Sequence, residues 1–377
     1  MKKILIILIL LLPINIWAEE IIPNAKSGIL IEATSGKIIY EKEKDTKVSV
    51  ASMTKMVAQI IILEEIEKGN IKWSDIVTVS HNASDMGGSQ IYLEENEKIT
   101  VEDLMKGISV ASGNDATVAM AEYISGTEDK FVSRMNKKVK ELKLKNTHFM
   151  NSTGLDEENH YSTAYDMAVI ARELVINHPK ILEFSSIYED YLREDTDRKF
   201  WLVNTNKILR EYEGADGLKT GHTDDALYCL AATAKRNDIR LIAIVLGEND
   251  SKVRNKETKE LLDYGFQNIK VKELKKKNEV IKRITINKGD KEELNAILKN
   301  NLIVIEDLDK NDNYTYKVNI DNIKLPIKKG KVIGNITVYN NKKEISKESL
   351  IADRTINKLS IIDLYKRNIL KIIYGDY

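Results

Sequence analysis

Two dense apolar runs late in the chain constrain its fold more than any other feature. Leu227 to Ala234 and Ile239 to Gly247 are packed with Leu, Ile, Val and Ala, and the polar turn Lys235-Arg236-Asn237-Asp238 separates them. Short apolar runs bounded by a polar turn read as strands. Far upstream, the stretches ILIEAT and KIIYEK are also β-rich and meet at Ser35-Gly36, a hairpin signal. From residue 51 to about 186 the pattern is mainly helical. Strands at both ends with helices between predict one α+β domain whose sheet gathers both ends.

Within the helical stretch, Thr100 and Asp103 form a capping-box pattern opening VEDLMKGISV. That helix stops at the loop Ala111-Ser112-Gly113-Asn114, and DATVAMAEYI then runs to Gly126. Thr127 is placed to cap EDKFVSRMNKKVKELKL, and Ser162 to cap TAYDMAVIARELVI, which ends before Pro179. The segment SKVRNKETKELLDYGF is amphipathic, with Leu261 and Leu262 inward.

Past Phe266 the composition shifts. Residues 270–352 are rich in Lys, Asn, Ile and Val, with short β-like runs and polar turns, and read as a small all-β domain. Residues 19–269 are then the larger domain, and 353–377 a helical tail. In that tail Leu359, Ile362, Ile369, Leu370 and Ile373 share one face. Two readings stand: an amphipathic anchor on a membrane surface, or a helix packed on the protein, since Lys358 and Lys366 intrude on the apolar arc.

Residues 1–18 read as a secretory signal, with Lys2 and Lys3 leading, Ile4 to Leu12 apolar and Ala18 at the cleavage point. The apolar run is short for a membrane span, and no cysteine near it marks a lipoprotein. The expected location is outside the cytoplasm: the periplasm, or the outer face of the membrane and the wall. The 58 basic and 58 acidic residues cancel, which argues against nucleic acid as a partner. Cys229 is the only cysteine, so no intramolecular disulfide forms. None of the five histidines makes a metal-ligand pair, and neither a metal nor another cofactor is expected.

The chemistry begins in ASMTKM. Ser52 and Lys55 lie three apart, so on a helix their side chains meet. A serine needs a base within hydrogen-bond reach to act as a nucleophile. A lysine serves only if burial or a nearby cation lowers its pKa, and the apolar run from Met56 to Ile66 supplies the burial. Taken alone, each of Ser52-x-x-Lys55, Ser112-Gly113-Asn114 and Lys219-Thr220-Gly221 has a bland reading as a cap, a turn or a strand entry. Together, unique and in this order, they match the signature of serine β-lactamases and penicillin-binding proteins.

The chain further resembles the D-alanyl-D-alanine carboxypeptidases among the low-molecular-mass penicillin-binding proteins. The resemblance rests on ASMTKM, SDMGGSQIYL, ASGNDA, NTHFMNSTGLD, VNTNKIL, DGLKTGHT, LLDYGF and LPIKKGKVIGNITVY. It implies a transpeptidase-like domain, an antiparallel sheet flanked by helices, followed by the small β domain. It also implies Ser52 as the acylated nucleophile, Lys55 as its base and Ser112 as a proton relay. Asn114, Lys219, Thr220, Gly221 and His222 would bind substrate, with the backbone N–H groups of Ser52 and His222 as the oxyanion hole. The implied substrate is a peptidoglycan stem peptide ending in D-Ala-D-Ala, and β-lactams are the implied inhibitors. Asp166, Asn204 and Asn206 read as scaffold. A class A β-lactamase is disfavoured, because no ExxLN stretch lies between Ser112 and Lys219. The remaining alternatives are an endopeptidase of wall cross-links and a non-hydrolytic β-lactam- or wall-binding protein.

Overall fold

The structure, a computed structural model, describes residues 20–308 and 313–374. The expected signal segment 1–18 lies outside the described residues. A five-stranded antiparallel sheet runs in the order Ile38–Lys42, Ser27–Glu32, Ile239–Glu248, Leu227–Arg236, Ala215–Thr223. The two apolar runs are two of its three inner strands, and the early hairpin supplies the third and one edge, as the α+β reading expected.

Alternation along the central strand explains the layers. Ile242, Ile244 and Leu246 face the core of the helix Lys55–Glu67, while Leu241, Ala243 and Val245 face Leu261 and Leu262 of the helix Ser251–Asn268. With helices on both faces, the strand has no wet side and reads as a continuous apolar run. The helix Lys55–Glu67 is buried on nearly every side, which is why its sequence shows no polar face.

The caps at Thr100 and Thr127 form, each hydroxyl accepting from the backbone three residues on. The helix Ala164–Asn177 is capped by Thr163 rather than Ser162. Ser162 instead bridges Val48 and shares a hydrogen bond with Thr147. Two small antiparallel strand pairs also form: Ile76–Thr78 with Lys98–Thr100 inside the helical region, and Glu189–Leu192 with Phe200–Val203 just after it. Strands of three and four residues are too short for alternation to stand out in sequence.

At the end of the central strand, Glu248 is fully buried beside Glu257. Burial and the neighbouring carboxyl push Glu248 up to about 8, so this pair holds a proton at neutral pH.

The C-terminal β unit has its own core, including Leu294, Ala296, Ile336, Val338 and Leu350. Ile356 belongs to that core and bridges Ile327, so the unit reaches past the expected boundary at 352. The tail helix spans Ile361–Tyr374. Arg367 ties it down, donating to the carbonyls of Gly289 and Asn287, yet Ile362, Leu370 and Ile373 remain exposed. Among the described residues no helix is long and apolar enough to cross a membrane.

Candidate active site

Ser52 sits in a 3-10 turn, Ala51–Thr54, that runs directly into the helix Lys55–Glu67. Two glycines let the chain press on this turn from either side. A Cβ on Gly154 would lie 1.9 Å from the Ala51 carbonyl oxygen, and one on Gly221 would lie 2.6 Å from that of Val50. Any larger residue would displace the turn that carries Ser52.

Lys55 is fully buried. Its Nζ lies 2.8 Å from Ser52 Oγ, 2.7 Å from Asn114 Oδ1 and 2.7 Å from the Thr153 carbonyl oxygen. Two of these partners are carbonyl oxygens, which only accept. A neutral amine has two N–H bonds and one lone pair. With both N–H groups spent on the carbonyls, the lone pair faces the Ser52 hydroxyl. Burial, then the charge of Lys219, hold the amine well below the ordinary lysine value, against a smaller opposing pull from Asp115.

Ser112 follows a widened helical turn, Gly107–Ala111, and adopts a left-handed conformation with φ 62°. That kink turns its hydroxyl toward Lys219, whose Nζ donates to it at 2.8 Å. Lys219 is buried on the edge strand Ala215–Thr223 and is pushed down to about 7, by burial and then by the Arg254 cation. The Thr220 hydroxyl lies 2.6 Å from that of Thr205. His222 is exposed and stacks on Tyr228, with ring centroids 4.1 Å apart.

The structure thus gathers two hydrogen-bonded groups: Ser52 with Lys55 and Asn114, and Ser112 with Lys219. The Lys219 charge couples them.

Asn114 and its neighbour Asp115 are held by a strap, residues 87–93. Its Nδ2 donates to the Gly87 carbonyl and its N–H to that of Ser89, each at 2.7 Å. The Asp115 carboxylate accepts from the N–H groups of Ile91 and Leu93. Arg193 and Arg198 clamp the carbonyl side of the same strap and share Glu97. These partners escaped sequence reading because most of the contacts use backbone atoms, which no residue type reveals.

Asp166, Asn204, Asn206 and His160 bond to the framework around the site. Asp166 accepts from Asn146 and Thr147. Asn204 donates to the Ile187 carbonyl, and Asn206 to that of Gly217. His160 accepts from the Met150 N–H at Nδ1, so Nε2 carries the proton and donates to Thr54. Burial pushes its pKa down to about 4, keeping the ring neutral. Among the described residues no group of three or more His, Cys, Asp and Glu is arranged to hold a metal.

The chain is similar to known proteins over most of its length. A family profile described as D-alanyl-D-alanine carboxypeptidase matches residues 17–250, and one described as the penicillin-binding protein 5 C-terminal domain matches 270–358. The D-alanyl-D-alanine carboxypeptidase DacF of Bacillus subtilis is 44% identical over 93% of this chain and 90% of its own. DacA of Escherichia coli is 35% identical over 87% of this chain and 82% of its own. Penicillin binding protein 5 from Haemophilus influenzae superposes with a TM-score of 0.70 at 31% identity, covering 89% of this chain and 98% of that one. Penicillin-binding protein D2 from Listeria monocytogenes, solved in an ampicillin-bound form, superposes at 0.58 with 29% identity, covering 64% of this chain and 98% of that one. On the matched domains, the shared length and the fold, this chain belongs to the D-alanyl-D-alanine carboxypeptidase family.

Proposed function

We propose that this chain is a serine DD-carboxypeptidase that removes the terminal D-alanine from peptidoglycan stem peptides. The observation that carries the reading is the Lys55 amine, buried and bonded to two carbonyls and the Ser52 hydroxyl. Ser52 Oγ attacks the carbonyl carbon between the two D-alanines while its proton passes to Lys55. The oxyanion is held by the N–H groups of Ser52 and His222. Losing one such donor costs on the order of a hundredfold or more. The C–N bond breaks as the proton taken up by Lys55 is relayed through Ser112 to the departing amine, and an ester remains on Ser52. Water then attacks the ester, giving its proton to Lys55, which passes it to Ser52 Oγ as the ester C–O bond breaks. Asn114 holds the substrate amide. Lys219 and Thr220 hold the terminal carboxylate, whose charge keeps the Lys219 ammonium protonated when substrate is bound. A β-lactam acylates Ser52 by the same first step.

The test is release of D-alanine from a soluble pentapeptide ending in D-Ala-D-Ala, together with covalent labelling by penicillin. Both are expected. Labelling without D-alanine release would favour a binding protein, and cleavage of cross-linked dimers alone would favour an endopeptidase.

Export through residues 1–18 and surface anchoring through the tail belong to the same proposal. The exposed apolar face of the helix Ile361–Tyr374 supports the anchor. The full chain should sediment with phospholipid vesicles, and a chain ending at Leu359 should stay in solution. Equal sedimentation of the two would remove the anchor.

A further inference from the structure

The hairpin formed by Glu189–Leu192 and Phe200–Val203 carries a surface that the proposed chemistry does not use. Its register sets Tyr191 directly opposite Trp201. Opposite residues project from one face, with Cβ atoms about 4.5–5.5 Å apart. On the other face Leu192 and Leu202 are packed, at 1% and 0% exposed, whereas Tyr191 and Trp201 are 40% and 55% exposed. Together the two side chains leave a partly exposed aromatic patch on this face. Charged groups flank them: Lys199 lies 3.9 Å above the Tyr191 ring, and Glu189 pairs with Arg210 at 2.6 Å.

Along the chain, this hairpin leads into the cleft. Trp201 precedes Thr205 by four residues, and the Thr205 hydroxyl touches that of Thr220. At about 3.3 Å per extended residue, the Trp201 Cα is within roughly 13 Å of that of Thr205. Five extended stem residues span about 17 Å, so an enzyme acting on a stem tip works within that reach of the polymer's sugars. The stem peptides offer little apolar surface beyond alanine methyls. The sugar rings offer flat C–H faces of indole and phenol size, rimmed by hydroxyl and amide groups that suit charged flanks.

We propose that Tyr191 and Trp201 form a platform for the glycan strand of the wall polymer, holding the enzyme on its macromolecular substrate. The proposal rests on the carboxypeptidase reading only for its choice of occupant.

The test compares the full chain with a Tyr191→Ala/Trp201→Ala variant in three assays: D-alanine release from soluble pentapeptide, release from insoluble peptidoglycan, and retention on peptidoglycan stripped of its stem peptides. The variant is expected to match wild type on the pentapeptide. Its half-saturating concentration of insoluble wall should rise about tenfold (~1.4 kcal/mol), and its retention on stripped glycan should fall. Trp201→Phe should recover part of both. Unchanged behaviour on wall and glycan would overturn the platform, as would an equal loss on pentapeptide and wall. Self-association of wild type that the variant loses would assign the face to a second copy instead. Failure to release D-alanine at all would defeat the carboxypeptidase reading, while stripped-glycan retention would still report on the platform.

Discussion

Ser52→Ala is expected to eliminate covalent labelling by penicillin and to lower D-alanine release by about a millionfold, the scale for removing a nucleophile from a coupled catalytic unit. The substitution deletes one oxygen from a half-buried side chain, so the turn at Ala51–Thr54, fixed by Gly154 and Gly221, keeps its place. Reversible β-lactam affinity should survive, because Asn114, Lys219 and Thr220 are untouched. Loss of labelling with an unchanged thermal transition would separate chemistry from folding. Persistent labelling would mean another residue is the acyl acceptor.

Lys55→Met should reduce acylation by about 10²–10⁴-fold, the usual contribution of a positioned general base. Methionine keeps the length of the aliphatic stem among buried neighbours and removes only the amine. The pH profile gives this prediction its direction. In the proposed mechanism the neutral amine is the active form, so acylation should rise with pH as Lys55 loses its proton. Burial and the Lys219 charge set that limb well below ordinary lysine. In the proposed mechanism Lys219 acts as a cation, and burial beside Arg254 pushes its pKa down to about 7 in the free enzyme. kcat/KM should therefore fall on the basic side near that value. In kcat the fall should come at higher pH, because bound carboxylate stabilises the ammonium. In Lys55→Met the acidic limb should vanish, whereas its survival would assign it to another group.

Much of this site is legible in sequence because it is written in side chains. Ser52, Lys55, Ser112, Asn114, Lys219 and Thr220 carry functional groups at fixed spacings, and the structure joins the first five into two bonded groups, with the Thr220 hydroxyl on Thr205. The fold is legible where burial leaves a continuous signal, as in the strands Leu227–Arg236 and Ile239–Glu248. Elsewhere the signal is absent for physical reasons. The Thr153 carbonyl that completes the Lys55 environment is a backbone atom, so no residue type announces it. Arg193 and Glu97 meet across 96 positions of sequence, and a lone arginine and a lone glutamate read as solvated charges. The strands around Tyr191 and Trp201 are four residues each, too short to outweigh the helical context before them.

Mass spectrometry of the penicillin-labelled protein after proteolysis tests the central claim most directly. A single penicilloyl adduct on the peptide containing Ser52, with fragment ions placing it on Ser52 itself, is the predicted result. An adduct on Ser112 or on any residue other than Ser52 would contradict the account.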